Sequence, residues 1–257
     1  MSGRVDKLFD SGKRNILSVY FTAGFPERDD TMKVIEALDA AGVDMVEVGF
    51  PFSDPLADGP VIQESSRVAL SNGMSLELLF GQLGSLRERT EMPVVLMGYL
   101  NVVLQYGVAR FVESCRRVGV DGVIIPDMPV EWYRANMERE AVAAGVKVVM
   151  LITPTTPDER IREIDSLSGG FLYMVSSNSI TGGAKGLEQQ EEYFSRVAAM
   201  KLRNSLITGF GISDRRSFEL ACRHSSGAIV GTAFIRMLGE RGVSKESVAQ
   251  FVNNIRS

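Results

Sequence analysis

The sequence contains one histidine, two cysteines and one tryptophan among its 257 residues. The cysteines, Cys115 and Cys222, lie far apart and lack the close spacing of a metal-binding or redox motif. The histidine, His224, closes a helical stretch, where this residue type is usually structural or solvated. We therefore predict no metal site, and expect carboxylates or tyrosines to carry any acid–base chemistry.

Long apolar runs and surplus positive charge are also missing. No stretch approaches the roughly 20 apolar residues that cross a bilayer, and the opening MSGRVDKLFDSGKR lacks the apolar core of a signal peptide. The formal net charge is -4 and no basic run occurs, which disfavours general nucleic-acid binding. We expect a cytoplasmic protein that binds neither membranes nor nucleic acid.

The sequence does contain a regular alternation of short apolar runs and helical segments. The runs are rich in Val, Ile and Leu and are bounded by turn residues, as is typical of strands. The eight candidate strands are 16–22, 45–50, 93–98, 122–126, 146–153, 170–176, 205–210 and 228–231. The related stretches AAGVD, VGVD and AAGVK, which begin at Ala40, Val118 and Ala143, mark successive helix-to-strand joints.

Eight strand–helix units in a chain of this length favour the α/β class, and within it a (β/α)₈ TIM barrel over a doubly wound sheet of five or six strands. No composition shift or linker divides the chain, so we expect residues 1–257 to form a single barrel domain. Extra helices are predicted at 5–11, between the second and third strands, and at 245–255.

The segment 46–63, VEVGFPFSDPLADGPVIQ, joins an apolar run that contains Glu47 to a stiff loop that contains Asp54 and Asp58. A charge on the interior face of a strand is costly. Glu47 is therefore either satisfied by a neighbouring polar layer or used in chemistry. Asp54 and Asp58 are either solvated acids and caps or part of the same site.

Active sites of barrels lie at the carboxyl ends of the strands. Three glycine-containing pairs follow the last three predicted strands: Gly182 and Gly183, Gly209 and Gly211, and Gly231 and Thr232. Backbone N–H groups at such positions, and a helix start, can hold a phosphate without an arginine. The alternative is that these glycines serve only tight turns. Tyr173, on the sixth strand, fits either the core or the site.

Several ordered motifs give a closer resemblance. VGFPFSDPLADGPVIQ is accompanied by FTAGFP at Phe21, MGYLN at Met97, PDMPVEW at Pro126, SITG at Ser179, GFGIS at Gly209 and GTA at Gly231. Over essentially the whole chain, the sequence resembles the tryptophan synthase α-subunit family. The resemblance implies a (β/α)₈ barrel that cleaves indole-3-glycerol phosphate to indole and glyceraldehyde 3-phosphate, a retro-aldol reaction without a cofactor in this chain.

The resemblance also assigns roles to residues. It implies that Glu47, Asp58 and Tyr173 are catalytic residues, the first two as carboxylates and Tyr173 as the tyrosine near the glutamate. Its implied substrate-binding residues are Tyr20, Met97, Thr181, Gly182, Gly209, Gly211, Gly231 and Thr232. Glu47 would carry protons between the glycerol hydroxyl and indole C3, and Asp58 would stabilise positive charge on the indole nitrogen.

A partner is implied as well: a β subunit that uses pyridoxal phosphate, in an α₂β₂ heterotetramer, contacted through a loop that contains Pro51 and Asp54. The sequence departs from the family at Ser177 and Asn178, where well-known members carry arginine and serine; the departure concerns closure of the loop after the sixth strand. Two other hypotheses stay open. One is a related phosphosugar isomerase, which would not need SDPLADG. The other is an activating subunit with a degraded site, against which Glu47 argues.

Overall fold

The computed structural model describes residues 3–176, 184–209 and 211–256. Eight parallel strands close into a barrel in chain order, with the last strand paired to the first. The strands are β1 (Ile16–Thr22), β2 (Met45–Gly49), β3 (Val94–Met97), β4 (Gly122–Ile124), β5 (Lys147–Ile152), β6 (Phe171–Val175), β7 (Ser205–Gly209) and β8 (Gly227–Val230). The predicted (β/α)₈ barrel is confirmed, and each predicted strand coincides with an observed one apart from small shifts at the ends.

Helices cover the outside of the barrel. Within the described ranges they are α1 (Arg4–Asp10), α2 (Thr31–Ala40), α3 (Pro60–Ser71), α4 (Leu76–Gln82), α5 (Leu86–Arg89), α6 (Leu100–Tyr106), α7 (Val108–Val118), α8 (Val130–Asn136), α9 (Glu138–Ala144), α10 (Asp158–Leu167), α11 (Ala184–Ala199), α12 (Arg215–His224), α13 (Thr232–Arg241) and α14 (Lys245–Arg256). The expected extra helices are α1, the group α3 to α5 between β2 and β3, and α14. Among the described residues, no helix is long and apolar enough to cross a membrane.

Apolar side chains fill the inside of the barrel. Strands of a parallel barrel are buried on both faces, which explains why they read as near-continuous apolar runs. The interior cluster includes Ile16, Tyr20, Met45, Val95, Ile124, Val149, Phe171, Tyr173, Ile207 and Ile229. Two fully buried polar side chains share this space, Ser18 on β1 and Glu47 on β2. Ser18 and Glu47 are therefore polar groups that lie among the apolar residues of this cluster.

Candidate active site

A cavity of about 430 Å³ opens at the carboxyl ends of the strands. Its lining consists of Tyr20, Asp58, Gly59, Pro60, Ile62, Met97, Tyr173, Gly211, Ile212, Ser213, Ile229, Gly231, Thr232, Ala233 and Arg236. Most of the predicted site residues thus meet around one space. Thr181 and Gly182, together with Ser177 and Asn178, lie outside the described residues.

Glu47 lies in the barrel wall and is fully buried. It pairs in register with Tyr20 on β1 and with Val95 on β3. The Ser18 hydroxyl donates a hydrogen bond of 3.0 Å to Oε1, whereas Oε2 has no hydrogen-bond partner among the described residues. Burial raises the pKa of Glu47 to about 8, and the bond from Ser18 opposes that rise. At neutral pH this carboxyl group is mainly protonated, so it can donate a proton.

Glu47 does not belong to the cavity lining, although Tyr20 beside it does. Two glycines make room for the tyrosines of this layer: a methyl group on Gly49 would come within 2.2 Å of the Tyr20 hydroxyl, and one on Gly209 within 2.0 Å of the Tyr173 hydroxyl. Burial raises the pKa of both tyrosines, which therefore stay neutral. The tyrosine rings occupy the space that a side chain would need at these two positions, so only glycine fits there.

Gly209 was predicted to bind substrate, but it is absent from the cavity lining. Its carbonyl oxygen accepts hydrogen bonds from the backbone N–H and the hydroxyl of Ser176, at 3.1 and 3.0 Å. The close packing of the Tyr173 ring against Gly209 is by itself a sufficient reason for a glycine at position 209. Substrate binding by Gly209 stays a prediction.

Asp58 lies at the cavity and is held by a residue that the sequence left without a role. The Tyr99 hydroxyl donates a 3.0 Å hydrogen bond to Asp58 Oδ2 and accepts one of 3.1 Å from the backbone N–H of Ala57. The Tyr99 ring also packs on Phe52, with centroids 5.2 Å apart. Burial raises the pKa of Asp58, and the Tyr99 bond lowers it. In the sequence, Tyr99 was marked only by its place just after a strand and by the motif MGYLN, neither of which gave it a role.

The loop before Asp58 has a buried start and an exposed tip. Pro51 is buried, Asp54 is exposed, and the Leu56 side chain is 90% exposed. At the end of the loop, Gln63 donates to the Asp58 carbonyl at 2.8 Å. Leu56 is thus an exposed apolar side chain on the loop that ends at Asp58.

A left-handed glycine, a helix start and an arginine form another part of the cavity lining. Gly211 has φ +74°, and Gly231 precedes α13, which begins at Thr232. Arg236 lies one turn further along α13, on the side of Thr232, and lines the cavity. No ion-pair partner of Arg236 occurs in the part of the chain that the structure describes. From the sequence we expected backbone groups alone to hold an anion here, so Arg236 was missed. Its spacing of four residues from Thr232, which puts both on one face of a helix, could have indicated it.

The site therefore combines a mainly protonated buried carboxyl group, a second carboxyl group at the cavity, and a helix start with a guanidinium that has no ion-pair partner among the described residues. Among the described residues, no group of three or more His, Cys, Asp or Glu side chains is placed to hold a metal ion. A (β/α)₈ barrel with this arrangement at the carboxyl ends of its strands is an acid–base enzyme for an anionic substrate. Comparison with known proteins is more specific, and it shows that the chain belongs to the tryptophan synthase alpha chain family, whose profile, described as "Tryptophan synthase alpha chain", matches residues 7–256.

Individual relatives agree with the family profile. The tryptophan synthase alpha chain of Parabacteroides distasonis is 50% identical over 254 residues, which is 98% of this chain and 99% of that protein. That of Flavobacterium psychrophilum is 49% identical over 253 residues, 98% of this chain and 99% of the relative. A solved structure, the tryptophan synthase complex from Pyrococcus furiosus, superposes with a TM-score of 0.83 at 34% identity and covers 95% of this chain and 98% of its own.

Proposed function

We propose that this chain cleaves indole-3-glycerol phosphate into indole and glyceraldehyde 3-phosphate, the α reaction of tryptophan biosynthesis. The observation that carries the proposal is the pair of carboxyl groups, Glu47 and Asp58, at one end of the barrel in different environments. Glu47 is buried and mainly protonated, whereas Asp58 borders the cavity and accepts a hydrogen bond from Tyr99. Carboxyl groups whose environments differ in this way divide the roles of acid and charge stabiliser between them. Family membership supports the same reaction.

Proton transfer by Glu47 begins the reaction. Its Oε2 proton goes to indole C3, the ring atom that bears the glycerol chain, and positive charge develops on the ring nitrogen. The Asp58 carboxylate stabilises that charge beside the N–H group. The Glu47 carboxylate then removes the proton of the chain hydroxyl as the carbon–carbon bond breaks. The bonding electrons return to the ring, the hydroxyl becomes the aldehyde, and Glu47 is again protonated.

The remaining cavity residues bind and orient the substrate. Tyr20, Met97 and Tyr173 offer apolar and aromatic surface for the indole ring. Gly211, Gly231 and the first turn of α13 offer backbone N–H groups to the phosphate, and the Thr232 hydroxyl and Arg236 lie on the same side. Thr181, Gly182 and Gly209 stay predicted contributors. Anchoring both ends of the substrate places the reacting bond near the acid, which is an orientational contribution.

A β subunit is the proposed partner. The related Pyrococcus furiosus structure is of a tryptophan synthase complex. The exposed Leu56, between Asp54 and Asp58, gives this chain an apolar contact for such a partner next to its own site. We propose an α₂β₂ assembly in which the β subunit carries pyridoxal phosphate and receives indole, while this chain uses no cofactor. We also propose that residues 1–257 form one domain and that the protein is cytoplasmic.

Indole release tests the function directly. Purified protein is incubated with indole-3-glycerol phosphate, and indole is measured with and without added β subunit. We expect Glu47→Gln to lose about 10³-fold in kcat, within the usual range for a general acid, and Asp58→Asn about 10²-fold, as for a lost charge stabiliser. Glu64→Gln, an exposed change of the same kind on α3, is the control.

Two outcomes would count against the proposal. If Glu47→Gln released indole at the wild-type rate, the chain would act without this acid, as an activating subunit would. If wild type released no indole but isomerised a phosphosugar, the related-barrel hypothesis would replace it. Equal rates with and without β subunit would leave the α reaction in place and remove the coupling to a partner.

A further inference from the structure

Ser18 makes the one hydrogen bond that the described residues give to the Glu47 carboxyl group. Both side chains are fully buried, and the Ser18 Oγ to Glu47 Oε1 distance is 3.0 Å. The neighbours of Ser18 at the next inward positions of β1 are Ile16 and Tyr20, both in the apolar interior cluster. A serine in such a place costs free energy unless its hydroxyl is bonded. The contact with Glu47 provides that bond.

The Ser18 contact distinguishes the two carboxyl oxygens of Glu47. When Glu47 is a carboxylate, Oε1 accepts the hydrogen bond from the Ser18 hydroxyl. Oε2 has no partner among the described residues. A proton that returns to the carboxylate therefore goes to Oε2, the oxygen that is not already engaged.

We propose that Ser18 is a positioning residue that holds Oε1 of Glu47 and thereby makes Oε2 the oxygen that exchanges protons with the substrate. The proposal rests on the proposed function, since it needs Glu47 to be the acid. Ser18 itself is not one of the residues that line the cavity. Its effect on the reaction passes entirely through Glu47.

The same bond should tune the acid. Ser18 stabilises the carboxylate that Glu47 becomes after it gives up its proton, and so it lowers the pKa that burial raises. The other titratable groups that interact with Glu47 are Tyr20 on β1 and Tyr173 on β6. The tyrosines stay neutral. Ser18 is therefore the polar group on which the acidity of Glu47 mainly depends.

The pH profile of kcat/KM is the decisive measurement. Glu47 acts first as an acid, so activity is lost as pH rises through its pKa. In Ser18→Ala the pKa of Glu47 rises further, and the alkaline loss of activity should move up by about one pH unit, the usual effect of one hydrogen bond to a charged group. At neutral pH kcat should fall about tenfold, since the acid is weaker and less well oriented.

Three further variants separate positioning from packing. Ser18→Thr keeps the hydroxyl and should restore the wild-type profile, and Ser18→Cys, a near-isosteric weak donor, should shift it partway. The matched control is Thr208→Val, which removes another fully buried hydroxyl, bonded at 3.2 Å to Ser225 on the helix side of β7. Thr208→Val should lower the thermal unfolding temperature without moving the pH profile.

A substrate-free measurement keeps this proposal distinct from the proposed function. The Glu47 carboxyl group can be titrated by carbon NMR in wild type and in Ser18→Ala or Ser18→Cys. A higher pKa in the variants supports the proposal even if indole release fails for other reasons. If indole is released normally while neither the Glu47 titration nor the alkaline limb moves, the Ser18 proposal is overturned and the function stands.

Discussion

Asp44, just before β2, and Glu47, in the middle of β2, hold their carboxyl groups in opposite situations. Asp44 comes just before the strand, where its Oδ2 accepts bonds from the Leu17 N–H at 2.9 Å and the Arg256 guanidinium at 2.8 Å, while Oδ1 pairs with Lys13. Glu47 comes three residues later and has only Ser18. Among the described residues, Asp44 thus has three hydrogen-bond donors around its carboxylate, whereas Glu47 has one. The first arrangement stabilises a charge, and the second keeps a proton available.

Asp121 extends the comparison to the next joint of the same type. It precedes β4, as Asp44 precedes β2, and both are the last residue of a GVD stretch. Its carboxylate accepts from Arg87 at 2.6 Å, from Arg4 at 3.4 Å and from the Val94 N–H at 2.8 Å. Amino-end acids therefore join helices to strands, as expected of the face of a barrel that supplies stability, whereas the carboxyl-end acids are the ones to which we assign chemistry in the proposed function.

Removing the acid of Glu47 should have the largest effect on stability, and its sign depends on pH. The folded pKa of about 8 lies above the ordinary value of 4.5, so between these values the folded state holds a proton that the unfolded state releases. Folding stability therefore falls as pH rises through this window. Glu47→Gln lacks that loss, so its advantage over wild type should grow by about 1.4 kcal/mol per pH unit, on the order of 4 kcal/mol from pH 5 to pH 8.

Urea unfolding at each pH measures this difference, with Glu240→Gln, an exposed change of the same charge, as control. Subtracting wild type removes the contribution of every other group. If the difference in unfolding free energy between Glu47→Gln and wild type stayed constant with pH, Glu47 would be ionised in the folded protein. The contrast between Asp44 and Glu47 would then lose its basis.

Asp121→Ala should show the opposite behaviour. It leaves the Arg87 guanidinium, which is largely buried with only 17% of its side chain exposed, without its carboxylate. The free energy of unfolding should fall by about 3 kcal/mol, as for other broken buried pairs. Indole release per folded molecule should not change, because Asp121 lies at the far end of the barrel.

Urea unfolding and activity on the same samples check this prediction. The control is Glu91→Ala, which removes an exposed partner of Arg4 and should change stability little. A loss of kcat in folded Asp121→Ala would show that the amino-end network also controls the site, and the division of labour between the two ends would fail.

The sequence predicted the barrel scaffold better than it predicted the contacts of the acids, and the reason is physical. Strands that are buried on both faces and bounded by turn residues can be recognised as short apolar runs. The pattern of these runs and the helical segments between them therefore predicted the barrel and its extra helices. The acids Glu47 and Asp58 were found because carboxylates stand out in an apolar run and a stiff loop. Their partners were not found. Ser18 is 29 residues from Glu47 in the sequence, and Tyr99 is 41 residues from Asp58. Each pair comes into contact only when the barrel forms.

Other features depended on packing that no local pattern encodes. Gly209 reads as a phosphate loop, but it lies against the Tyr173 hydroxyl. Arg236 has an ordinary helical context, and only the cavity shows that it belongs to the candidate site. The buried position of Glu47 outside the cavity lining likewise depends on how the two tyrosines of its layer fill the barrel. Sequence thus identified the acidic residues, while closure of the barrel determined their acidity.

Tyr99→Phe offers the finest test of the contrast, because it removes one of the few donors at the carboxyl end and keeps the ring. Packing on Phe52 is retained, but Asp58 loses its 3.0 Å bond. The pKa of Asp58 should rise, and since Asp58 acts as a carboxylate, activity on the acid side should be lost at a higher pH. We expect kcat to fall about tenfold, or about 1.4 kcal/mol. Tyr106→Phe, whose hydroxyl meets Ser114 on the helical layer, is the matched control. An unmoved acid limb in Tyr99→Phe would mean that the carboxyl end tunes its acids by burial alone.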